Sequence, residues 1–526
     1  MKMTSTSFDF ASWPPELSET QLEETTRYAT TYALAHGLLY LPQLPIQPPI
    51  PSSAIHAPLS LFPTPIPRRL FSLAQQLQNF YNILYARIAL DVEFLDKVMG
   101  AEEGVGRVDE FTGKLWRGWK EIRDEGVQRP LQLGLFRSDY LLHARENEPL
   151  ELKQVEFNTI SSSFGTLSEQ TAKLHRYLHA TTGYYDLSPV LKEENFPPNQ
   201  TTAGLAEGLA AAHKAYGNKS AYILFVVQAG ERNVFDQRWL EYALLERHSI
   251  HVVRQTFDEL MTSASLDSNR VLKLTLPTKS APIEISTIYF RAGYTPTDYP
   301  GTEHYSIRFL LERSKAINCP SIPLQLAGGK KVQEVLTQPG VLETFTKDWN
   351  YPGTTSQEFI DILRLSWMPM WGLDQTGERK ILSGSEQHLG VQKARDRFST
   401  LVLKPQREGG GNNVYKEAIP EFLDNLLPEE RQAWIAMELI SPPQGIQGYL
   451  IRSGSSSASG DTQHAPVKTE VISELGIFGW ALFGFEDGHV DEKEVGWLVR
   501  TKGRESNEGG VATGFSVLDS IVLVDE

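Results

Sequence analysis

The chain has 526 residues, 40% of them hydrophobic and 22% charged, an ordinary globular composition with length for about three domains. A net charge of −15 argues against nucleic acid or an anionic membrane as partner, so any anionic substrate needs a local basic site. The single cysteine, Cys319, excludes an intrachain disulfide and a cysteine-rich zinc site. Met1 to Pro15 lacks a secretory pattern, and no apolar run nears the about 20 residues that span a bilayer.

Residues 18–36 read as a helix: Ser18 can cap it, Tyr28, Tyr32 and Ala35 recur at helical spacing, and Gly37 can stop it. Nine prolines from Pro42 to Pro67 suggest a rigid wrapping loop rather than a ligand for a proline-binding domain. Helical periodicity returns over 69–99, and 131–136 and 152–157 read as strands with polar residues at their ends. From 221 the pattern turns α/β: strand 221–227, helix 236–247 and strands 250–256 and 283–291 predict a parallel-sheet unit over about 219–330. Beyond 398, the runs 400–404, 434–439, 468–478 and 495–501 predict an antiparallel sheet, and the serine-rich run 453–460 a loop between its strands. No internal repeat is present.

The segment 401–415, Leu-Val-Leu-Lys-Pro-Gln-Arg-Glu-Gly-Gly-Gly-Asn-Asn-Val-Tyr, carries the strongest functional signal. Three consecutive glycines are costly to order, so they imply close approach by a ligand, and their N–H groups can cradle phosphate. Lys404 and Arg407 add positive charge, and Glu408 can hold magnesium. No Gly-Lys-Ser/Thr follows at the spacing of a Walker A loop. Strand alternation puts Glu156 and Asn158 on one face, two hard oxygen donors suited to the same ion, ahead of Ser161, Ser162 and Ser163. Arg137-Ser138-Asp139 reads either as a buried ion pair or as an arginine fork for a carboxylate.

Other groups lie at strand or helix ends. Glu231, Asn233, Asp236 and Gln237 follow a buried strand, where open α/β sheets bind ligands, and Asp236 can cap the next helix. Arg291, Ala292, Gly293 and Tyr294 end another strand, and Lys330 and Lys331 follow Gly328-Gly329 at a helix start, where lysines fit nucleotide phosphates. Arg500 and Lys502 precede a second glycine-rich loop containing Glu508, Val511 and Ala512, and Glu438 and Glu474 sit near strand ends. No G-x-G-x-x-G, H-E-x-x-H or G-x-S-x-G motif is present. Phosphate-binding lysines, magnesium ligands and carboxylate-binding arginines together suit ATP-driven activation of a carboxylate.

The segments 135–140, 156–165, 231–237, 291–294, 325–332, 404–415, 473–479 and 500–514 occur in the order found in the eukaryotic glutathione synthetase family, which the chain resembles over nearly its whole length. The resemblance implies an α/β (α+β) fold of ATP-grasp type. It is circularly permuted relative to the bacterial enzyme, with an inserted parallel α/β substrate-binding domain. The implied parts are 1–218, 219–330 and 331–526, the last with glycine-rich lid loops. It further implies a cytosolic, magnesium-dependent homodimer that joins γ-glutamylcysteine to glycine at the expense of ATP, through an acyl phosphate. By position, Glu156, Asn158 and Glu408 resemble magnesium ligands. Glu156, Lys330, Lys404, Glu408, Gly409, Gly410, Gly411, Asn412, Asn413, Tyr415, Met437, Glu438, Leu439, Ile440, Glu474, Lys502 and Glu508 resemble ATP contacts. Arg137, Ser161 to Ser163, Glu231, Asn233, Gln237, Arg291 to Tyr294, Arg500, Val511 and Ala512 resemble the peptide site, with Arg137 and Arg500 catalytic. Ala292 departs from some members, and the loop 453–466 is longer than usual. A sister ligase using β-alanine or serine, and an ATP-binding protein without catalysis, are the alternatives.

Overall fold

The computed structural model describes residues 8–42, 50–126, 131–347, 355–375, 389–407, 411–452, 466–506, 511 and 516–525. In chain order the elements that matter for the site begin with helices α1 (Glu19–Ala35) and α2 (Arg68–Leu90) and strands β1 (Gln132–His143) and β2 (Glu151–Asn158). Helices α3 (Gly165–Thr182) and α4 (Thr201–Tyr216) follow, then β3 (Tyr222–Val226), α5 (Val234–His248), β4 (Val252–Gln255), β5 (Ile283–Phe290), β6 (Ile317–Cys319) and α6 (Lys330–Leu336). The last third supplies β7 (Met370–Gly372), β8 (Leu401–Pro405), β9 (Val414–Tyr415), β10 (Trp434–Glu438), β11 (Gln447–Ile451), β12 (Val467–Phe483), β13 (Val490–Gly503) and β14 (Ser516–Asp519).

The first helix forms where its pattern predicts. Ser18 and Gln21 make a reciprocal capping box, and Gly37 follows the helix at φ +71°, a left-handed conformation suited to glycine. The periodicity over 69–99 resolves into two helices, because Asp91 leaves the helical path and caps Val92–Val98 through Phe94 N. The proline-rich stretch differs from expectation. Its described part holds short strands at Ile55–His56, Leu59–Ser60 and Thr64–Pro67. The last pairs with one partner, Ile521–Val524, in a two-stranded sheet where both strands are edges, and edges tolerate proline. The run 453–460 lies outside the described residues.

The organising layer is a mostly antiparallel seven-stranded sheet in the order β11, Leu59–Ser60, β14, β13, β12, β1, β2. The expected C-terminal sheet is therefore two sheets. β12 and β13 join the N-terminal strands β1 and β2, while β8 and β10 belong to a separate four-stranded sheet ordered β7, β10, β8, β9. Alternation in a sequence reveals strands, not their partners, so this division was not readable. The parallel unit is present, with β4, β3, β5 and β6 mutually parallel and a short antiparallel extension from Ala264–Leu266 and Leu272–Leu274.

Each face of the seven-stranded sheet has a distinct fate. One buries Phe136, Phe157 and Trp497 with Phe80, Tyr81 and Tyr85 of α2; the Tyr85 and Phe157 rings stack at 4.0 Å. The other buries Leu133 and Leu135 of β1 and Phe478, Trp480 and Leu482 of β12 with Leu205 and Leu209 of α4. Two residues further along each strand, the same face turns polar: Arg137 and Asp139 on β1, Gly476 and Glu474 on β12. Among the described residues no helix is long and apolar enough to cross a membrane.

Candidate active site

The polar end of that sheet face gathers residues from four strands. Register pairs Arg500 of β13 with Glu474 of β12, Gly476 with Asp139 of β1, and Arg137 and Asp139 with Asn158 and Glu156 of β2. Arg137 and Asp139 are buried and joined twice, Nε to Oδ1 at 2.6 Å and Nη2 to Oδ2 at 2.8 Å. Arg500 Nη2 donates to Asp139 Oδ2 at 3.1 Å and also binds Glu474. Asn158 Nδ2 donates to Asp139 Oδ2 at 3.0 Å and to the Arg137 carbonyl at 3.1 Å. Gly476 leaves the room this requires: a Cβ there would lie 2.9 Å from both Arg137 Cδ and Asp139 Oδ1.

Two lysines reach the same edge from other elements. Lys330, at the start of α6, places Nζ 3.1 Å from Glu156 Oε2, and Lys404 of β8 donates Nζ to the Val155 carbonyl at 2.8 Å. Burial pushes the Glu156 carboxyl up, but the charges of Lys330 and Lys404 outweigh it and hold the group at about 2. Glu474 is pushed up by burial and by Asp139 and Glu156, against the pull of Arg500. Lys404 bridges the two sheets, and β8 and β10 turn Val402, Ile435 and Met437 toward the same core. Leu439 and Ile440 follow β10, with Leu439 N bonded to the Thr400 carbonyl, while the Glu438 side chain binds Arg397. Gly411 (φ +78°), Asn412 and Asn413 lead into β9, where Asn413 Nδ2 donates to Tyr415 Oη at 3.1 Å. Lys502 lies on β13 opposite Ile472.

The serine run joins this face to the parallel unit. Arg291 Nη1 donates to the Ser162 carbonyl at 2.8 Å and Nη2 to Ser163 Oγ at 2.6 Å, while Arg137 Nη1 reaches the Ser163 carbonyl at 3.2 Å. Ser161 Oγ donates to the Phe290 carbonyl at 3.1 Å. Ser161 (φ 53°) and Phe164 (φ 70°) both hold left-handed backbone, which costs about 1–3 kcal/mol per non-glycine residue. Asp236 explains how the turn persists. It does not cap α5, as the sequence suggested; Asn233 precedes that helix and makes no side-chain cap bond. The Asp236 carboxylate instead crosses to the start of α3, accepting from Phe164 N at 2.8 Å, Thr166 N at 3.0 Å and Thr166 Oγ1 at 2.7 Å.

Glu231 accepts from Asn233 N at 2.7 Å and from Gln237 Nε2 at 3.1 Å, so these three expected contacts form one cluster. Ala292 is buried, Gly293 (φ +94°) and Tyr294 donate backbone N–H groups to Asp298, and Gln325 donates to the Gly293 carbonyl. Asn233 Oδ1 and Arg291 Nε are buried without a hydrogen-bond partner among the described residues.

Val511 is described and buried, whereas Glu408, Gly409, Gly410, Glu508 and Ala512 lie outside the described residues. Two basic residues expected near phosphate are committed elsewhere. Arg407 pairs with Asp109, the N-cap of Glu110–Asp124, and Lys331 binds Asp374 at 2.6 Å and Glu334 at 3.1 Å. The donor set fits a hard divalent cation. Glu156 is held ionised, and Asn158, its nitrogen spent on Asp139 and Arg137, has its amide oxygen left to offer.

A family model described as eukaryotic glutathione synthase, ATP binding domain, matches residues 19–523. Glutathione synthetase of Bos taurus is 38% identical over 507 residues, covering 95% of this chain and 97% of its own. The glutathione synthetase large chain of Schizosaccharomyces pombe is 35% identical over 525 residues, covering 96% and 98%. The solved apo form of a glutathione synthetase-like effector from Globodera pallida has a TM-score of 0.71 over 97% of this chain and 98% of its own, at 23% identity, a likeness of fold. Matched from near one end to the other, the chain belongs to the eukaryotic glutathione synthase family.

Proposed function

We propose that the protein is a glutathione synthase, which ligates γ-glutamylcysteine to glycine with conversion of ATP to ADP and phosphate. One observation carries the reading: in a chain of this family, two arginines, two lysines and the oxygen donors Glu156 and Asn158 converge on one end of one sheet face. In the proposed reaction the dipeptide's C-terminal carboxylate attacks the γ-phosphate of ATP and becomes an acyl phosphate. The amine of glycine then attacks the acyl carbon, phosphate leaves, and the new amide nitrogen sheds its proton. Carboxylate and triphosphate repel each other, so the protein's task is charge neutralisation and in-line placement. Arg137 and Arg500 offset the reacting carboxylate; Lys330 and Lys404 offset the phosphates. Glu231, Asn233, Gln237 and Arg291 to Tyr294 orient the dipeptide.

Glu156, Asn158 and Glu408 would hold magnesium, which when bound neutralises phosphate oxygens. The reading also includes the ATP-grasp topology in circularly permuted form, the parts 1–218, 219–330 and 331–526, the remaining ATP contacts, and a cytoplasmic homodimer. The permuted topology draws support from a central sheet that mixes strands of both chain ends. The test is ADP release by the purified protein with ATP and magnesium, omitting γ-glutamylcysteine and glycine in turn. Release that needs both, with glutathione formed, is expected. Release with β-alanine or serine in place of glycine would move the assignment to a sister ligase, and ATP binding without release under any condition would overturn it.

A further inference from the structure

We infer that Asp139 is the positioning residue of this site: one buried carboxylate that sets both arginines and aims the amide oxygen of Asn158 at the metal position. The inference rests on the ligase reading above. Asp139 is wholly buried and accepts four N–H groups. Oδ1 takes Arg137 Nε at 2.6 Å; Oδ2 takes Arg137 Nη2 at 2.8 Å, Asn158 Nδ2 at 3.0 Å and Arg500 Nη2 at 3.1 Å. Wholly buried and held by four donors, Asp139 offers no surface to substrate and acts through its neighbours.

Three consequences follow from those four bonds. Two guanidinium groups repel each other, and the shared negative charge between them holds Arg137 and Arg500 on a common centre. Asn158 has two acceptors at one end, Asp139 Oδ2 and the Arg137 carbonyl, so its nitrogen sits there and its oxygen is the atom left for a cation. Partners of this kind behind a metal ligand typically contribute about 10–100-fold in metal affinity. The pairing also depends on Gly476, whose missing side chain leaves space for Arg137 Cδ and Asp139 Oδ1.

The experiment is calorimetric binding of ATP, with and without magnesium, to wild-type protein, Asp139→Asn and Gly476→Ala, with turnover measured alongside. Asn replaces the charge and presents an N–H₂ where a donor already points. Expected for Asp139→Asn is near-normal ATP affinity without magnesium, because Lys330 and Lys404 are untouched. Magnesium enhancement should fall about 10–100-fold, and turnover on the order of 10²–10³-fold. Gly476→Ala, which keeps the charge and crowds it, should repeat the pattern at smaller size and stands alone if Asp139→Asn does not fold. A merely structural role would lower both affinities together. That result, or a variant with wild-type magnesium enhancement and turnover, overturns the inference. The ligase reading fails separately, on wild-type protein that releases no ADP with both substrates present.

Discussion

Replacing Asp236 with alanine tests how the serine turn proposed to bind the peptide is held. The carboxylate accepts from Phe164 N, Thr166 N, Leu167 N and Thr166 Oγ1, all buried. Alanine orphans three backbone N–H groups, two of them in the first turn of α3, at about 1–3 kcal/mol each, less what entering water recovers. The left-handed Phe164 then loses what offsets its strain. A net loss of about 2–5 kcal/mol follows from these terms, and it falls on one turn. The turn carries the Ser162 carbonyl and Ser163 Oγ that hold Arg291, and the Ser163 carbonyl that holds Arg137. Lys330 and Lys404 do not touch it. Asp236→Ala should therefore lower the thermal unfolding midpoint and raise the KM for γ-glutamylcysteine at least about tenfold, the effect of losing about 1.4 kcal/mol of binding, while the KM for ATP stays within a factor of about three. Asp236→Asn, which keeps one acceptor oxygen, should fall between. An equal rise in both KM values, or an unchanged dipeptide KM in a destabilised protein, would refute the reasoning.

Three further outcomes are expected. Arg500→Ala should cut turnover on the order of 10²–10³-fold while the protein still binds ATP; near-normal turnover would contradict its assigned role. Lys330→Met removes a main cation holding Glu156 at about 2. A depressed carboxyl contributes stability above its unfolded value of 4.5 and loses it as pH falls toward 2, so the variant should lose stability relative to wild type at pH 7 and narrow that gap below pH 4, read by urea unfolding. Asp519 behaves oppositely: burial raises it to about 7, despite bonds from Thr64, Thr501 and Ser520 N. A raised acid in the folded state costs stability as pH climbs from 3.8 to about 7, then levels off, so Asp519→Asn should flatten the wild-type decline between those two values. An identical slope in both proteins would show that Asp519 does not titrate there.

Much of the site was legible because its residues lie at strand ends in short runs. Alternation placed Glu156 with Asn158, and the glycines before Lys330 marked a helix start that faces Glu156. What stayed hidden is what depends on long-range pairing. The motif Arg137-Ser138-Asp139 left an ion pair and a substrate fork equally open; the structure gives the ion pair, and adds Arg500 and Asn158 as partners that no local pattern announces. Asp236 sat at a plausible cap position and served a different helix, since a cap signal names a donor set only by proximity in sequence. Lys331 and Arg407 looked as basic as Lys330 and Lys404, and only packing against Asp374 and Asp109 tells them apart. The strands were found, but β12 runs on to Phe483 past the predicted end at 478, because Gly479 reads as a stop unless a close neighbour, here Asn82, needs its space.

The mixed ancestry of the central sheet bears on how the protein is made. Asp139 and Arg500 are 361 residues apart, and β12, β13 and β14 fill interior places between Leu59–Ser60 and β1, which leave the ribosome far earlier. Until they arrive, β1 and β2 can pair only as a fragment, with the edge of β1 that β12 will cover left bare. Translation at about 5–20 residues per second leaves that edge exposed for many seconds, so nascent chains of this protein are natural clients for chaperones. A chain cut short by a premature stop anywhere before β12 loses Arg500 and keeps the sticky edge, and its fate is aggregation or degradation rather than partial activity.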